Sequence, residues 1–242
     1  MNYNNQYSPG PFAGLPVVTK NIIIINVIMY LATLAFETVN IDLVKLFGLH
    51  YYLADDFKPH QFITYIFMHG GFSHILFNML GVYIFGQVLE QVWGPKRYLI
   101  FYILTGLGAA LAQYIIMHFE ITEVLDIFNQ HINSRNLDTS QRAEFINQKY
   151  EYLNKHVIIG ASGSLFGLLG GFGMLFPNRE LYLYFFIPIK AKWLVILYGG
   201  FEIFSGLQNN PTDKVAHFAH IGGLLVGIAL VLFWRKDRNH FY

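Results

Sequence analysis

Six stretches of the chain are apolar and close to the length that a helix needs to cross a lipid bilayer. A spanning helix requires about 20 mostly apolar residues, because the hydrocarbon core is about 30 Å thick. The stretches cover about residues 21–36, 72–89, 98–117, 157–176, 193–207 and 215–234. Helices satisfy their own backbone hydrogen bonds in lipid. The pattern therefore predicts an all-α membrane protein with six spans.

The composition supports a single membrane domain over residues 1–242. Charged residues make up 13% of the chain, against about 25% in soluble domains. The net charge of +1 gives no reason to expect nucleic acid, and the absence of cysteine excludes thiol catalysis and cysteine metal sites. The polar segment 1–19 has neither a basic n-region nor a small-residue cleavage site, so we expect no cleaved signal peptide.

Basic residues predict the orientation of the bundle, because they concentrate in cytoplasmic loops. They lie before the first stretch, between the second and third, between the fourth and fifth, and after the sixth: Lys20, Lys96, Arg97, Arg179, Lys190, Lys192, Arg235, Lys236 and Arg238. Both termini are then cytoplasmic. The loop 208–214 and a polar, water-exposed helical insertion at about 119–155 face the outside. The connection 37–71 is expected to form short interfacial helices.

Polar side chains inside the apolar stretches are the candidates for function. Burying such a group in lipid costs free energy, so those that are present are usually paired or functional. Ser162 stands between glycines in the run Gly160-Ala161-Ser162-Gly163. Alone it has an ordinary interpretation, since small residues at G-x-x-x-G spacing are mostly packing devices in membrane helices.

Two further polar pairs lie near the starts of other stretches. His74 and Asn78 are four residues apart and share one helix face, which alone would suggest a helix–helix hydrogen bond. His217 and His220 open the sixth stretch, where a lone histidine is usually a satisfied core residue. Glu202, inside the fifth stretch, is expected to pair within the bundle or to point to the interface.

Together these residues favour catalysis. Hydrolysis of a peptide bond by serine needs a nucleophile, a base and donors for the developing oxyanion. The pKa of histidine, about 6.5, suits the base. Under the predicted topology His74, Asn78 and Ser162 start at a similar depth, and His220 lies about one to two turns into its span. Glycines in the fourth and sixth stretches would let these helices approach until serine and histidine touch: Gly163, Gly167, Gly223 and Gly227.

These residues resemble the rhomboid family of intramembrane serine proteases. The family's G-x-S-G nucleophile motif corresponds to Gly160–Gly163, and its H-x-x-x-N motif to His74–Asn78. Its A-H-x-x-G motif corresponds to Ala219–Gly223, and a Glu-x-x-x-Gly segment at Glu90–Gly94 is followed by Arg97. The order of the motifs agrees with the family.

The resemblance implies a rhomboid-like bundle of six transmembrane helices, with a water-filled cavity and a core at about 57–234. It implies a serine–histidine dyad without a carboxylate at Ser162 and His220. His217 is an extra histidine beside it. The oxyanion donors would be His74, Asn78 and the Ser162 backbone amide.

The remaining positions would support this dyad. Phe166 stands where the family often has an aromatic ring against the catalytic imidazole. His69 matches a structural histidine and carries no chemistry. Gly160, Gly163 and Gly223 would allow close approach to the serine. The insertion at 119–155 departs from the smallest family members and leaves open how a substrate enters.

The expected function is that of a serine endopeptidase that hydrolyses peptide bonds in or near transmembrane segments of single-span proteins. Its partners would be those substrates and the lipid bilayer, without metal, cofactor or nucleic acid. We expect a multi-pass protein of a bacterial cytoplasmic membrane. The alternative is a catalytically inactive rhomboid-like protein that binds membrane proteins without cutting them.

Two other classes fit less well. A histidine metal centre could be drawn from His69, His74, His217 and His220, but the chain has no H-E-x-x-H motif, and no carboxylate accompanies these histidines at ligand spacing in sequence. A transporter or channel would explain intramembrane polar residues, with Glu202 as a coupling acid. It would have no reason to reproduce three motifs in family order.

Overall fold

A computed structural model describes residues 14–183, 186–208 and 215–237. The predictions for segment 1–19 and for the loop 208–214 fall largely outside these residues, and Arg238 lies wholly outside them.

The described chain is mostly helical. Its α-helices are α1 Val17–Glu37, α2 Leu43–Phe47, α3 Gln61–Thr64, α4 Phe72–Gly81, α5 Gln87–Trp93, α6 Pro95–Ile132, α7 Thr139–Lys155, α8 Ser162–Leu175, α9 Ala191–Gln208 and α10 His217–Asp237. A 3₁₀ turn covers Tyr65–Phe67, and a π-helical turn at Val82–Gly86 joins α4 to α5. Two antiparallel strand pairs are β1 Leu49–His50 with β2 Val157–Ile158, and β3 Glu180–Leu183 with β4 Ile187–Lys190.

Four helical segments of the described residues are long and apolar enough to cross a membrane. They are Val17–Glu37, Phe72–Trp93, Pro95–Ile132 and His217–Arg235. Ser162–Leu175 is apolar but shorter, and α9 has 18 residues that include Lys192 and Glu202. The predicted all-α membrane fold is therefore confirmed, whereas the count of six spans and the cytoplasmic termini stay predictions.

The start of α8 differs from the prediction, which began the fourth stretch at residue 157. Val157 and Ile158 instead form β2 against β1, as their β-branched side chains favour. Gly160 follows with φ of +122°, a conformation that residues with a Cβ rarely adopt. Its amide donates to the Tyr65 carbonyl oxygen at 3.0 Å. The helix therefore begins at Ser162, with the serine in its first turn.

The segment 119–155 was predicted as a separate insertion, but its first part continues the helix α6 that contains the third apolar stretch. α6 runs unbroken to Ile132, and α7 folds back along it, burying Leu125 and Leu153. Asp138 and Gln141 form a capping box at the start of α7. The sequence between Gly108 and Ile132 contains neither glycine nor proline, so nothing ends the helix near Phe119. The hairpin β3–β4 was not predicted.

Helix α8 is mostly buried and packs against both α6 and α10, which also pack against each other. A Cβ added to Gly223 would overlap the Gly163 carbonyl oxygen, and one added to Gly227 would lie 2.5 Å from the Gly167 carbonyl oxygen. The backbones of α8 and α10 are therefore in direct contact, as expected from the glycine series. Such contact is the usual result of small residues at membrane-helix crossings.

A buried carboxylate supports the start of α1. Glu90 is 4% exposed and accepts hydrogen bonds from the backbone N–H groups of Val18 and Thr19 at 2.9 and 2.7 Å. It also accepts from the Thr19 hydroxyl at 2.8 Å. The first N–H groups of a helix have no intrahelical partner, so Glu90 satisfies donors that Pro16 at the N-cap does not.

Candidate active site

Ser162 and His220 are in hydrogen-bond contact. Ser162 Oγ lies 2.8 Å from His220 Nε2. The serine is half-buried at the first position of α8, and the histidine is buried in the first turn of α10. A hydroxyl that touches an imidazole and still keeps some exposure can be deprotonated and can also be reached by a substrate.

The imidazole of His220 is held flat against an aromatic ring. The rings of Phe166 and His220 have centroids 4.3 Å apart and are tilted by only 6°. Phe166 lies one turn after Ser162 on α8. The same helix therefore supplies the Ser162 hydroxyl and the aromatic ring that packs against His220. Offset stacking of this kind restricts rotation of the imidazole.

The backbone around Ser162 can accommodate a negative charge. The first N–H groups of a helix have no intrahelical acceptor and lie at the positive end of its dipole. Ser162 is the first residue of α8, and no side chain caps this end. The arrangement suits an oxyanion that forms beside the serine.

His74 lies beside the turn that precedes Ser162. A Cβ added to Gly160 would lie 2.7 Å from His74 Nε2 and 3.7 Å from Ser162 Oγ, so the imidazole and the hydroxyl flank the same glycine. Asn78 is buried one turn further along α4, and its Nδ2 donates to the His74 carbonyl oxygen at 3.0 Å. An amide carries two N–H groups, so this bond uses one of them.

His69 packs against His74 from the preceding loop. Their ring centroids are 4.9 Å apart in an edge-to-face arrangement, and His69 is 1% exposed. Burial, with a smaller effect from His74, lowers the pKa of His69 to about 4. His69 is therefore neutral at physiological pH and acts as packing for His74.

Glu202 is a site residue that the sequence analysis expected to pair within the bundle or to point to the interface, without a part in the dyad. Its Oε2 lies 2.6 Å from His217 Nδ1, with which it makes a hydrogen bond, and 3.0 Å from His220 Nδ1. The His220 contact has the distance of an ion pair, but the N–H is not aligned for a hydrogen bond. A carboxylate in the apolar fifth stretch did indicate pairing; the partner could not be read from sequence because it lies on another helix.

Glu202, His217 and His220 are also residue types that can bind a metal ion. Among the described residues, Glu202, His217 and His220 form a group whose ligand atoms lie within 4.8 Å of one another. The sequence argument that no carboxylate accompanies the histidines therefore does not hold in three dimensions. The geometry also suits direct proton sharing, because the nitrogens already lie at contact distance from the carboxylate.

The fold and the site define a class: helical multi-pass membrane proteins in which a serine at the head of a buried helix contacts a histidine on a neighbouring helix. The family model described as the Rhomboid domain matches residues 56–237. The chain therefore belongs to the rhomboid family.

The chain is similar to rhomboid proteins of Bacillus subtilis and Arabidopsis thaliana. The chain is 27% identical over 183 residues to "Putative rhomboid protease YdcA" of Bacillus subtilis (strain 168), covering 74% of this chain and 70% of the relative. It is 29% identical over 188 residues to "RHOMBOID-like protein 6, mitochondrial" of Arabidopsis thaliana, covering 74% and 47%. For "RHOMBOID-like protein 12, mitochondrial" of the same plant, the identity is 29% over 192 residues, covering 77% and 51%. The chain thus spans about half the length of these two plant relatives.

Proposed function

We propose that this protein is an intramembrane serine endopeptidase that cuts single-span membrane proteins in or near their transmembrane segments. The observation that carries the proposal is the 2.8 Å contact between Ser162 Oγ and His220 Nε2 at the head of α8. Membership of the rhomboid family supports it. A non-catalytic binder would have no use for this pair in contact.

In the proposed reaction, Ser162 is the nucleophile and His220 is its base. Ser162 Oγ attacks the scissile carbonyl carbon while its proton moves to His220 Nε2. The oxyanion accepts hydrogen bonds from the Ser162 amide and from the His74 and Asn78 side chains. Collapse of the intermediate breaks the C–N bond, and the imidazolium returns its proton to the leaving amine. Water then hydrolyses the acyl-enzyme by the same steps.

The protein is an integral multi-pass membrane protein, and its proposed partners are transmembrane substrates within the bilayer. The prediction of a bacterial cytoplasmic membrane is not supported by the relatives, several of which are named as mitochondrial or chloroplastic. Cytoplasmic termini and six spans remain part of the proposal, on the distribution of basic residues.

A fluorophosphonate probe tests the proposal on the purified, detergent-solubilised protein. We expect covalent labelling of the wild type and loss of that labelling in Ser162→Ala, because the probe reacts far faster with an activated serine hydroxyl than with other side chains. His220→Ala should lose labelling while Ser162 is still present. A folded wild type that neither labels nor cleaves a model membrane substrate would instead support a non-catalytic rhomboid-like binder.

A further inference from the structure

A buried carboxylate lies behind the proposed base and has no part in the dyad mechanism. Glu202 is 5% exposed and projects from α9 toward the first turn of α10. Its Oε2 is 2.6 Å from His217 Nδ1 and 3.0 Å from His220 Nδ1. Burying a carboxylate costs several kcal/mol unless it is paired, so the fold retains this group only together with its partners.

We propose that Glu202 is a positioning residue for His220. Ser162, His220 and Glu202 would then act together as a triad, and His217 would hold the carboxylate in place. This inference rests on the proposed function, because it needs Ser162 to be the nucleophile and His220 its base.

The first part of the role is the choice of tautomer. A neutral imidazole carries its proton on one of two nitrogens. A carboxylate oxygen 3.0 Å from His220 Nδ1 favours the proton on that nitrogen. Nε2 is then left with its lone pair toward Ser162 Oγ, 2.8 Å away. In this tautomer His220 can accept the serine proton; in the other it cannot.

The second part is electrostatic. When the proton moves from Ser162 to His220, a positive imidazolium forms in a buried site. A carboxylate within hydrogen-bond distance stabilises that charge. The His220 N–H is not aligned with Oε2 in the resting geometry. Catalytic hydrogen bonds are often poorly aligned without substrate and tighten in the reacting complex.

His217 gives the carboxylate a fixed orientation. It shares the same Oε2 at 2.6 Å, and its ring stands nearly perpendicular to that of His220, at 85°. A carboxylate held by one histidine cannot rotate away from the other. His217 thereby acts on His220 through Glu202.

The other groups around His220 carry little charge. α8 presents Ser162 and Phe166, and α4 presents His74, which lies beside Gly160 and Ser162. α6 faces this end of α10 with Gly108, Ala109 and Ala112, and with Gln113, whose side chain accepts from the Ala219 amide at 3.2 Å. Among the described residues next to His220, Glu202 is thus the anionic group.

The test measures the rate of fluorophosphonate labelling of the full-length protein in detergent. Glu202→Gln keeps the size of the side chain and removes its charge. We expect labelling to slow by about 10²-fold, less than the roughly 10⁴-fold seen when a well-aligned triad carboxylate is replaced by its amide. Glu202→Asp keeps the charge and should recover part of the rate. His217→Ala should lose less than Glu202→Gln.

The two carboxylate variants separate positioning from packing. Glu202→Gln preserves the volume of the side chain, so a packing role predicts labelling close to that of the wild type. A positioning role needs the negative charge, so only Glu202→Asp should recover part of the rate. Glu90→Gln is the matched control. It removes another buried carboxylate, which accepts hydrogen bonds from the start of α1, so it should lower thermal stability and leave labelling of the folded protein unchanged.

Two outcomes would overturn the inference while leaving the proposed function intact. The first is Glu202→Gln that labels at the wild-type rate. The second is an equal loss of labelling in Glu202→Gln and Glu202→Asp, which would show that the exact fit of the side chain matters rather than its charge. A wild type that does not label at all would overturn the proposed function itself, and the role of Glu202 with it. The same holds for a wild type whose activity is lost when a chelator removes stoichiometric zinc.

Discussion

At the scale of single residues, His220 is fixed on three sides. Ser162 Oγ lies at Nε2, Glu202 Oε2 lies near Nδ1, and Phe166 covers one face of the ring. These contacts come from two different helices, so the imidazole keeps its orientation only if α8 and α9 both stay packed on α10. A base held this way needs little reorganisation when the proton arrives, which is the condition for electrostatic catalysis.

The proposed oxyanion donors can be tested one at a time. Removing one preorganised donor typically lowers kcat by about 10²- to 10³-fold. We expect losses of this order in His74→Ala and Asn78→Ala, with little change in KM, measured as turnover of a model membrane substrate. His74 adjoins the turn before Ser162, and Asn78 has a second amide proton beyond the one donated within α4.

Asn26→Ala is the control for this experiment. Asn26 is also buried and donates to the carbonyl of residue i−4, at 2.8 Å, but it lies on α1. It should change stability and leave kcat of the folded protein unchanged. If both site variants raised KM alone, the role of His74 and Asn78 would be in binding or packing.

At the scale of helices, the site depends on how closely α8 and α10 approach. The crossing is lined by glycine on both sides, and a single Cβ at Gly223 would overlap the backbone of Gly163. Gly163 is the residue after the serine, and Gly223 lies one turn after His220. Any separation of the two helices at this crossing therefore separates the serine from the histidine.

Gly223→Ala should damage both stability and labelling. Overpacking a well-packed contact typically costs about 1–3 kcal/mol, and we expect the melting temperature to fall and fluorophosphonate labelling to be lost. Gly200→Ala is the matched control, since a Cβ there has no neighbour within 4 Å. It should stabilise α9 by up to about 1 kcal/mol, because alanine is the better helix former. Unchanged labelling in Gly223→Ala would show that the close crossing is not needed.

The sequence predicted these helices well but not their ends or partners. Long apolar runs and the glycine spacing indicated the helices and the crossing of α8 with α10. The extended start at Val157 and Ile158 was missed, because a β-branched apolar run does not distinguish a strand from a buried helix. The contact of Glu202 with His217 and His220 was missed because it joins two helices, and pairing between elements is set by packing rather than by local pattern.

At the scale of the whole molecule, the segment from about residue 118 to 158 packs against the connection 37–71. β2 pairs with β1, Tyr51 and His118 are joined at 2.8 Å between Oη and Nδ1, and the Asp56 amide donates to Asn154 at 3.2 Å. These contacts join α6 and α7 to the region around β1. Sequence reasoning indicated a helical insertion, but its docking could not be predicted, because the contacts connect residues about 70 to 100 positions apart in the chain.

The position of Ser162 limits what the proposed protease could cut. The serine lies at the end of a helix beside Gly160 and Gly163, with α10 in backbone contact. A peptide bond within a helix is shielded by its own hydrogen bonds and side chains, so a transmembrane substrate must unwind before Ser162 can attack. The close backbone approach leaves little room for a large side chain next to the scissile bond.

We therefore expect a single-span substrate to be cut near its outer membrane boundary, after a small residue, when glycine or proline lies within its span. In a reconstituted assay, replacing the small residue by phenylalanine should stop cleavage. Replacing the glycine or proline by leucine should slow cleavage, because the segment then stays helical. Ser162→Ala with the unaltered substrate gives the background. Equal cleavage of all these substrates would refute the unwinding requirement, and products cut on the side of Lys96 and Arg179 would refute the proposed orientation.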